Sequence, residues 1–385
     1  MRSSGGIRRA DRARRAPRRP QGRLAGSPRP RRRRVGHPIA RELTAQTSRI
    51  VGVDVARGIA VLGMFVAHAI PRPTDVELLA DGRSSVLFAT LAGVSLGIMT
   101  GSASPTEPEA RRSRRGSIVI RALVLFLLGV LLTTLNSGIA IILDYYAIAF
   151  LLMVPLLFLS RPVLIAIAVV AAFVSPLVAA ALPDADPVTS PLRYVAQEYL
   201  LTGYYPVLIW LAYLLFGLVC ARSDLRREGT QLVMIVAGSA GAILGYGAAT
   251  FLPGVTAEAH SDSTAEVFGS GGLAIAVTGL LLWVTSPERR GFARIVRAIT
   301  WPLAATGSMA LTVYTLQIIT LAIFVVLRTQ SDGAVEYPGW PLLIGLIVAS
   351  LAFASAWRLW LGRGPLERAL AAVARPAEAS PAPRP

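Results

Sequence analysis

The chain has no lysine, so all 39 of its basic residues are arginine, a bias best read as codon composition. It has one cysteine, Cys220, which excludes an internal disulfide framework. Its three histidines, His37, His68 and His260, do not combine with that cysteine at zinc-site spacing, so no metal is expected. Charged residues make up only 16%, against roughly 25% in an ordinary soluble domain. No Walker A loop, no HExxH and no Ser-His-Asp signature is present. The stretches of roughly ten alternating residues that would signal a β-barrel are missing. No short apolar core with a cleavage site follows the start closely, so a signal peptide is not expected. No internal repeat is visible, which weighs against an inverted-repeat transporter.

What the chain has is hydrophobic sequence, 54% of its residues, in long blocks. A bilayer crossing takes about 20 helical residues, and backbone groups in lipid must be satisfied within the segment. The fold class is therefore all-α, a polytopic transmembrane helix bundle. Ten spans are expected, at 51–70, 85–101, 118–135, 139–160, 163–182, 204–221, 231–252, 270–285, 303–327 and 341–361. Residues 1–48 read as a disordered arginine-rich tail. In it, Arg31–Arg34 suit a juxtamembrane anchor that holds the N-terminus inside, or a contact with anionic lipid or nucleic acid. Residues 49–365 form the membrane domain, and 366–385 a Pro/Ala-rich tail. The net charge of +17 belongs almost wholly to the first tail, so nucleic acid is not an expected partner of the body. Alternate loops are arginine-rich: 111–115, 161, 222–227 and 289–297. By the positive-inside rule both termini are cytoplasmic, and the expected location is the plasma (inner) membrane. Tyr145, Tyr146, Tyr199, Tyr204, Tyr205 and Trp340 read as an outer aromatic belt. Gly93, Gly97 and Gly101, spaced by four, read as a seam for close helix contact.

The first span carries the most chemistry. At 100° per residue, Val55, Ile59, Leu62 and Val66 share a face suited to lipid, while Ala56, Ala60, Gly63 and Ala67 form a face of small residues. Asp54, Arg57 and His68 fall on a third face. Arg57 and His68 stand about 16 Å apart along the axis at 1.5 Å per residue. Ionisable groups at such depth usually face a cavity or a partner. Asp54 and Arg57 read either as an i,i+3 pair seating the helix or, for Arg57, as a contact to a phosphate. His68 reads either as an idle interfacial histidine or as a general base. Asp144 reads as a helix N-cap or as the group beside His68. Ser308, Thr312 and Thr315 share a face of the ninth span, suited to interhelical hydrogen bonds, and Tyr314 and Gln317 are candidates to line the same cavity. Arg121 reads as snorkelling and His260 as a plain surface residue.

The stretch RIVGVDVARGIAVLGMFVAH (49–68) resembles the opening motif of bacterial relatives of the heparan-α-glucosaminide N-acetyltransferase catalytic domain, and LFATLAGVSLGIMTG (87–101) resembles that family's second helix. TGYYPVLIWLAYLLFGL (202–218), ATGSMALTVYTLQI (305–318) and GPLERAL (364–370) are similar to the YeiB-like membrane proteins of unknown function. The resemblance spans about residues 49–370. It implies transmembrane acyl transfer from a cytoplasmic acyl-CoA, acetyl or longer, to a sugar or lipid acceptor outside. His68 would be the catalytic group with Asp144 beside it. Arg57 and the cluster Arg111, Arg112, Arg114 and Arg115 would meet the CoA phosphates. Asp54, Tyr314 and Gln317 would line the cavity between. Membrane lipid and a second copy of the chain are the further candidate partners. The alternative is a transporter or flippase of a small molecule or lipid, to which Pro155 and Pro176 lend interrupted spans.

Overall fold

The computed structural model describes residues 49–70, 76–183, 186–331 and 338–375. The expected tail 1–48 and the part 376–385 of the expected tail 366–385 therefore lie outside the described residues. The membrane body, Ile50–Pro385, forms one unit. Every described element is helical: α1 (Val51–Ala69), α2 (Arg83–Met99), α3 (Pro108–Thr133), α4 (Leu143–Met153), α5 (Arg161–Ala181), α6 (Pro191–Gln197) running into a π-turn Glu198–Thr202, α7 (Val207–Ala221), α8 (Glu228–Phe251), α9 (Thr264–Val284), α10 (Arg290–Ile299), α11 (Trp301–Gly307), α12 (Ala310–Gln330), α13 (Trp340–Trp360) and α14 (Pro365–Val373).

Eight segments are long and apolar enough to cross a bilayer: α1, α3, α5, the run Pro191–Ala221, α8, α9, α12 and α13. The protein is thus a multi-pass membrane protein. Two expected spans appear as the shorter apolar helices α2 and α4, of 17 and 11 residues. The fourth span, expected over 139–160, contracts because Gly138 turns the chain at φ +78° before it and Pro155 follows soon after α4 ends at Met153. The ninth, expected as one helix over 303–327, is broken at Ser308 and Met309 into α11 and α12. Ser308 therefore sits in the break and shares no helical face with Thr312 and Thr315.

The layers follow from burial. In the run Pro191–Ala221, 72% of the apolar window is buried, against 17% in α8, so the first is central and the second faces lipid. The α2–α7 crossing is set by glycine. A Cβ on Gly93 would collide with the Leu214 carbonyl, one on Gly97 with the Ala221 side chain, and one on Gly217 with the Thr90 carbonyl. Gly101 is not part of that seam. It stands past the helix end at φ +102°, where Ser102 N–H reaches Gly97 O at 2.8 Å and Gly101 N–H reaches Ile98 O at 3.3 Å. Those are the two bonds of a Schellman stop. On α1, Val55 is fully buried and so leaves the expected lipid face, whereas Ile59 stays on the surface. Gly58 faces the backbone of Leu303, and Gly307 that of Asp54, so α11 lies directly on the first half of α1.

Residues 365–373, expected in the C-terminal tail, form α14 and dock on the break. Thr312 N–H and Oγ1–H donate to the two oxygens of Glu367 at 3.1 and 2.6 Å, and Leu366 N–H reaches Thr312 Oγ1 at 3.2 Å. Helix α10 is different again. Arg290, Arg294 and Arg297 share it with exposed Phe292, Ile295 and Ile299, a pattern suited to lying along a membrane surface.

Candidate functional site: a polar cavity at one end of the first helix

Of the cavities that touch α1, two lie at the ends of its polar face. Toward the start, Arg57 lines a cavity of about 220 Å³ together with Ser95, Ser308 and Glu367. Arg57 Nη1 is paired with Asp54 Oδ1 at 3.2 Å, and its Nη2 donates to Ser95 Oγ at 2.6 Å. The i,i+3 pair read from the sequence therefore exists, and Asp54 acts through Arg57. None of Arg111, Arg112, Arg114 or Arg115 lines this cavity. Arg111 donates to Thr106 O at 3.0 Å, and the Arg111 and Arg115 guanidiniums lie 5.0 and 5.4 Å from the Phe158 ring. Arg222, which the sequence did not single out, ties the same region together. It donates to Ser102 O and Thr100 Oγ1, each at 2.8 Å, and to Leu157 O.

At the other end of α1, His68 lines a cavity of about 420 Å³ with Glu77, Asp81, Tyr204, Glu258 and His260. His68 Nδ1 meets Gln317 Nε2 at 3.0 Å. Gln317 is almost completely buried, and its Oε1 has no hydrogen-bond partner. Which ring nitrogen carries the proton depends on the amide end that faces it. With the carbonyl end on an Nδ1–H, Gln317 holds the tautomer whose Nε2 carries the lone pair, the form a general base needs.

Asp144 does not join this pair. It is buried in the first turn of α4, two residues past the N-cap position at Ile142, and Tyr199 O–H donates to its Oδ2 at 2.8 Å. Tyr314 is buried too, and accepts from Ile142 N–H at 3.4 Å. The tyrosines expected in an interfacial belt instead form a packed cluster. Tyr145 lies 4.8 Å from Tyr199 and 5.6 Å from Tyr205, and both Tyr146 and Tyr205 are buried. A helix end gives the same sequence signal whether its rings face lipid headgroups or one another.

The cluster ends on His260, which sequence reasoning took for a surface residue. Its ring centroid is 4.3 Å from Tyr204, 5.4 Å from Tyr205 and 6.0 Å from Trp210, and it faces the same cavity as His68. The loop that carries it is built by Glu266, in the first turn of α9. Glu266 accepts from His260 N–H at 2.9 Å and Asp262 N–H at 2.8 Å, while its own N–H donates to the N-cap Ser263 Oγ at 3.0 Å. The S-x-x-E spacing of Ser263 and Glu266 was the legible signal for this cap. His260 takes φ +58°, a left-handed turn that this network holds. Arg83 fastens the loop from the far side, pairing with Glu77 and donating to Ala257 O at 3.3 Å. Burial pushes the His260 imidazole down to about 4, so it is neutral at physiological pH. Burial, aided by the charge of Glu266, pushes the Asp262 carboxyl up to about 8.

Among the described residues, no three of His, Cys, Asp and Glu converge in a way that would hold a metal ion. The cavity is instead suited to a hydroxyl- or amine-bearing ligand. It offers two imidazoles, and carboxylates at its rim for hydrogen bonds.

The family model described as heparan-alpha-glucosaminide N-acetyltransferase, catalytic, matches residues 49–244. That range holds α1 to α7, including His68, Asp144 and the tyrosine cluster. A second model, for a protein family of unknown function, DUF418, matches residues 220–375, which hold His260, Gln317 and the α14 anchor Glu367. No curated protein matches the chain.

Proposed function

Since the chain belongs to the heparan-alpha-glucosaminide N-acetyltransferase catalytic family, we propose that it is an integral membrane acyltransferase. In this reading it moves an acyl group from acyl-CoA to a sugar or lipid acceptor across the bilayer. The observation that carries the reading is His68, on the wall of a polar cavity of about 420 Å³ with the Gln317 amide on its Nδ1. The acceptor sits in that cavity. His68 Nε2 takes the proton from its hydroxyl or amine as that atom attacks the thioester carbonyl. The C–S bond then breaks, and the CoA sulfur leaves as a thiolate that is protonated in turn.

The donor side lies at the opposite end of α1. Arg57 is fixed there by Asp54 and Ser95, and a fixed guanidinium suits a phosphate. Arg111, Arg112, Arg114 and Arg115 lie outside that cavity and would meet donor phosphates only before these reach it. In this reading that end is cytoplasmic, as the arginine-rich loops favour, with both termini inside and the short helices α2 and α4 counted as the ninth and tenth passes through the plasma membrane. Asp144 acts through Tyr199 on the tyrosine wall of the acceptor cavity.

The test is acyl transfer by purified protein in nanodiscs, wild type beside His68→Ala. Loss of turnover by about 10²–10⁴-fold with acyl-CoA binding retained supports the assignment. Unchanged turnover removes His68, and absence of acyl-CoA binding in both proteins overturns the acyltransferase reading.

A further inference from the structure

Behind His68, on the far side of Gln317, an apolar groove of about 600 Å³ runs between α12 and α13. Leu316, Phe324, Leu342, Leu346 and Phe353 wall it, and Gln317 also lines it. The volume falls within the roughly 300–1,000 Å³ of ligand pockets. A groove that merely faced lipid would be apolar throughout, because an unsatisfied polar group in hydrocarbon is costly. This one holds a buried amide whose second polar atom has no partner. That amide bridges two spaces: one end touches His68 at 3.0 Å, and the side chain lines the groove.

Resting on the acyltransferase reading, we propose that the acceptor is a lipid. Its hydrocarbon chain lies in the α12–α13 groove, and its polar head hydrogen-bonds Gln317 beside His68. The amide serves in either orientation, since a head hydroxyl both donates and accepts. The chain then fixes depth, and the amide, which touches His68 at 3.0 Å, is the link between the groove and the imidazole. Gly345 is exposed and lines the groove, and among the described residues a Cβ built on it meets nothing within 4 Å. A large side chain can therefore start into the groove there without a clash at Cβ.

The experiment is photolabelling of the full protein in phosphatidylcholine nanodiscs with a dodecyl glucoside that carries a diazirine on its chain. Expected is saturable labelling of the segments 316–324 and 341–353, competed by plain dodecyl glucoside and not by glucose. Gly345→Trp should reduce it by about tenfold or more, the factor expected when the dispersion contacts of several methylenes are lost. Labelling that never saturates, or that Gly345→Trp leaves unchanged, is bulk lipid contact only and overturns the proposal. Acyl transfer to methyl glucoside and dodecyl glucoside is measured in parallel. Saturable labelling without transfer to either keeps the lipid site and removes the enzyme reading. Transfer at equal KM to both glucosides, with no saturable labelling, keeps the enzyme and removes the lipid site.

Discussion

Gln317 and His68, 249 positions apart in sequence, meet at 3.0 Å. The contact joins α12 to the end of α1 and puts one amide on the ring nitrogen that sets the imidazole tautomer. Gln317→Leu removes the partner but keeps the volume. It should lower kcat by about 10–100-fold, the range seen when an outer contact to a working imidazole is lost. Gln317→Glu puts a carboxylate acceptor on the ring and adds a negative charge, which favours the imidazolium. Its acid-side fall in kcat should move to higher pH, read from a pH–rate profile. Identical profiles for wild type and Gln317→Glu would leave Gln317 a packing residue.

The His260 loop gives a pH dependence of stability with a definite sign. The folded state keeps His260 neutral, since its value falls from 6.5 to about 4. That stability is complete above 6.5 and is lost as pH falls toward 4. Asp262 works in the opposite direction: raised from 3.8 to about 8, it binds a proton in the folded state that the unfolded chain has already released. From 4 to 6.5 the two slopes oppose each other, and from 6.5 to 8 Asp262 acts alone, so stability should fall by roughly 2 kcal/mol across that window. Asp262→Asn should flatten this fall. The check is the thermal midpoint in detergent at pH 6.5 and pH 8 for both proteins; a parallel fall in the variant would assign the slope to another group.

The GPLE stretch near the C-terminus has a structural reason. Pro365 starts α14 at a position where its missing N–H costs nothing, and Glu367 then reaches the Thr312 N–H and hydroxyl at 3.1 and 2.6 Å. Those donors stand in the first turn of α12, just past the break from α11. Glu367→Gln leaves one oxygen to serve two donors and removes the charge. It should cost about 1–3 kcal/mol, the range for a broken charge-assisted hydrogen bond in a buried setting. Thr312→Val should cost a similar amount and add little to Glu367→Gln, because both delete the same contact. A double variant whose loss in thermal stability equals the sum of the two singles would count against this anchor.

How far the sequence could be read depended on whether a feature is local. The Asp54–Arg57 pair lies within one helical turn, so helical periodicity alone predicts it, and the pair is present at 3.2 Å. Membrane character was legible for the same reason, because each span declares itself by its own composition. His260 was not legible. Its setting is made by Tyr204, Tyr205 and Trp210 from another segment, and no local pattern in residues 258–263 announces an aromatic neighbour. The break at Ser308 and Met309 was missed because both residues sit in an apolar run that a hydropathy reading joins. Asp144 had two local readings, cap or partner of His68, and the structure gives neither: Tyr199 from the α6 segment takes it at 2.8 Å.

The glycine crossing of α2 and α7 makes the firmest prediction for the scaffold. Gly93 and Gly217 let each backbone approach the other's carbonyls, so that a side chain on either would occupy the space of Leu214 O or Thr90 O. In lipid, helices associate through such close packing and not through a hydrophobic difference, so an added methyl group weakens the very term that holds them. Gly217→Ala should cost about 1–3 kcal/mol, as overpacking in a close-packed core does, and Gly217→Val should cost more. Gly247 is the control: it sits on the lipid-facing α8 with nothing within 4 Å of its would-be Cβ, so Gly247→Ala should leave stability unchanged or raise it. Thermal unfolding in one detergent compares the three variants directly. Equal midpoints for Gly217→Ala and Gly247→Ala would mean that α2 and α7 do not cross at glycine.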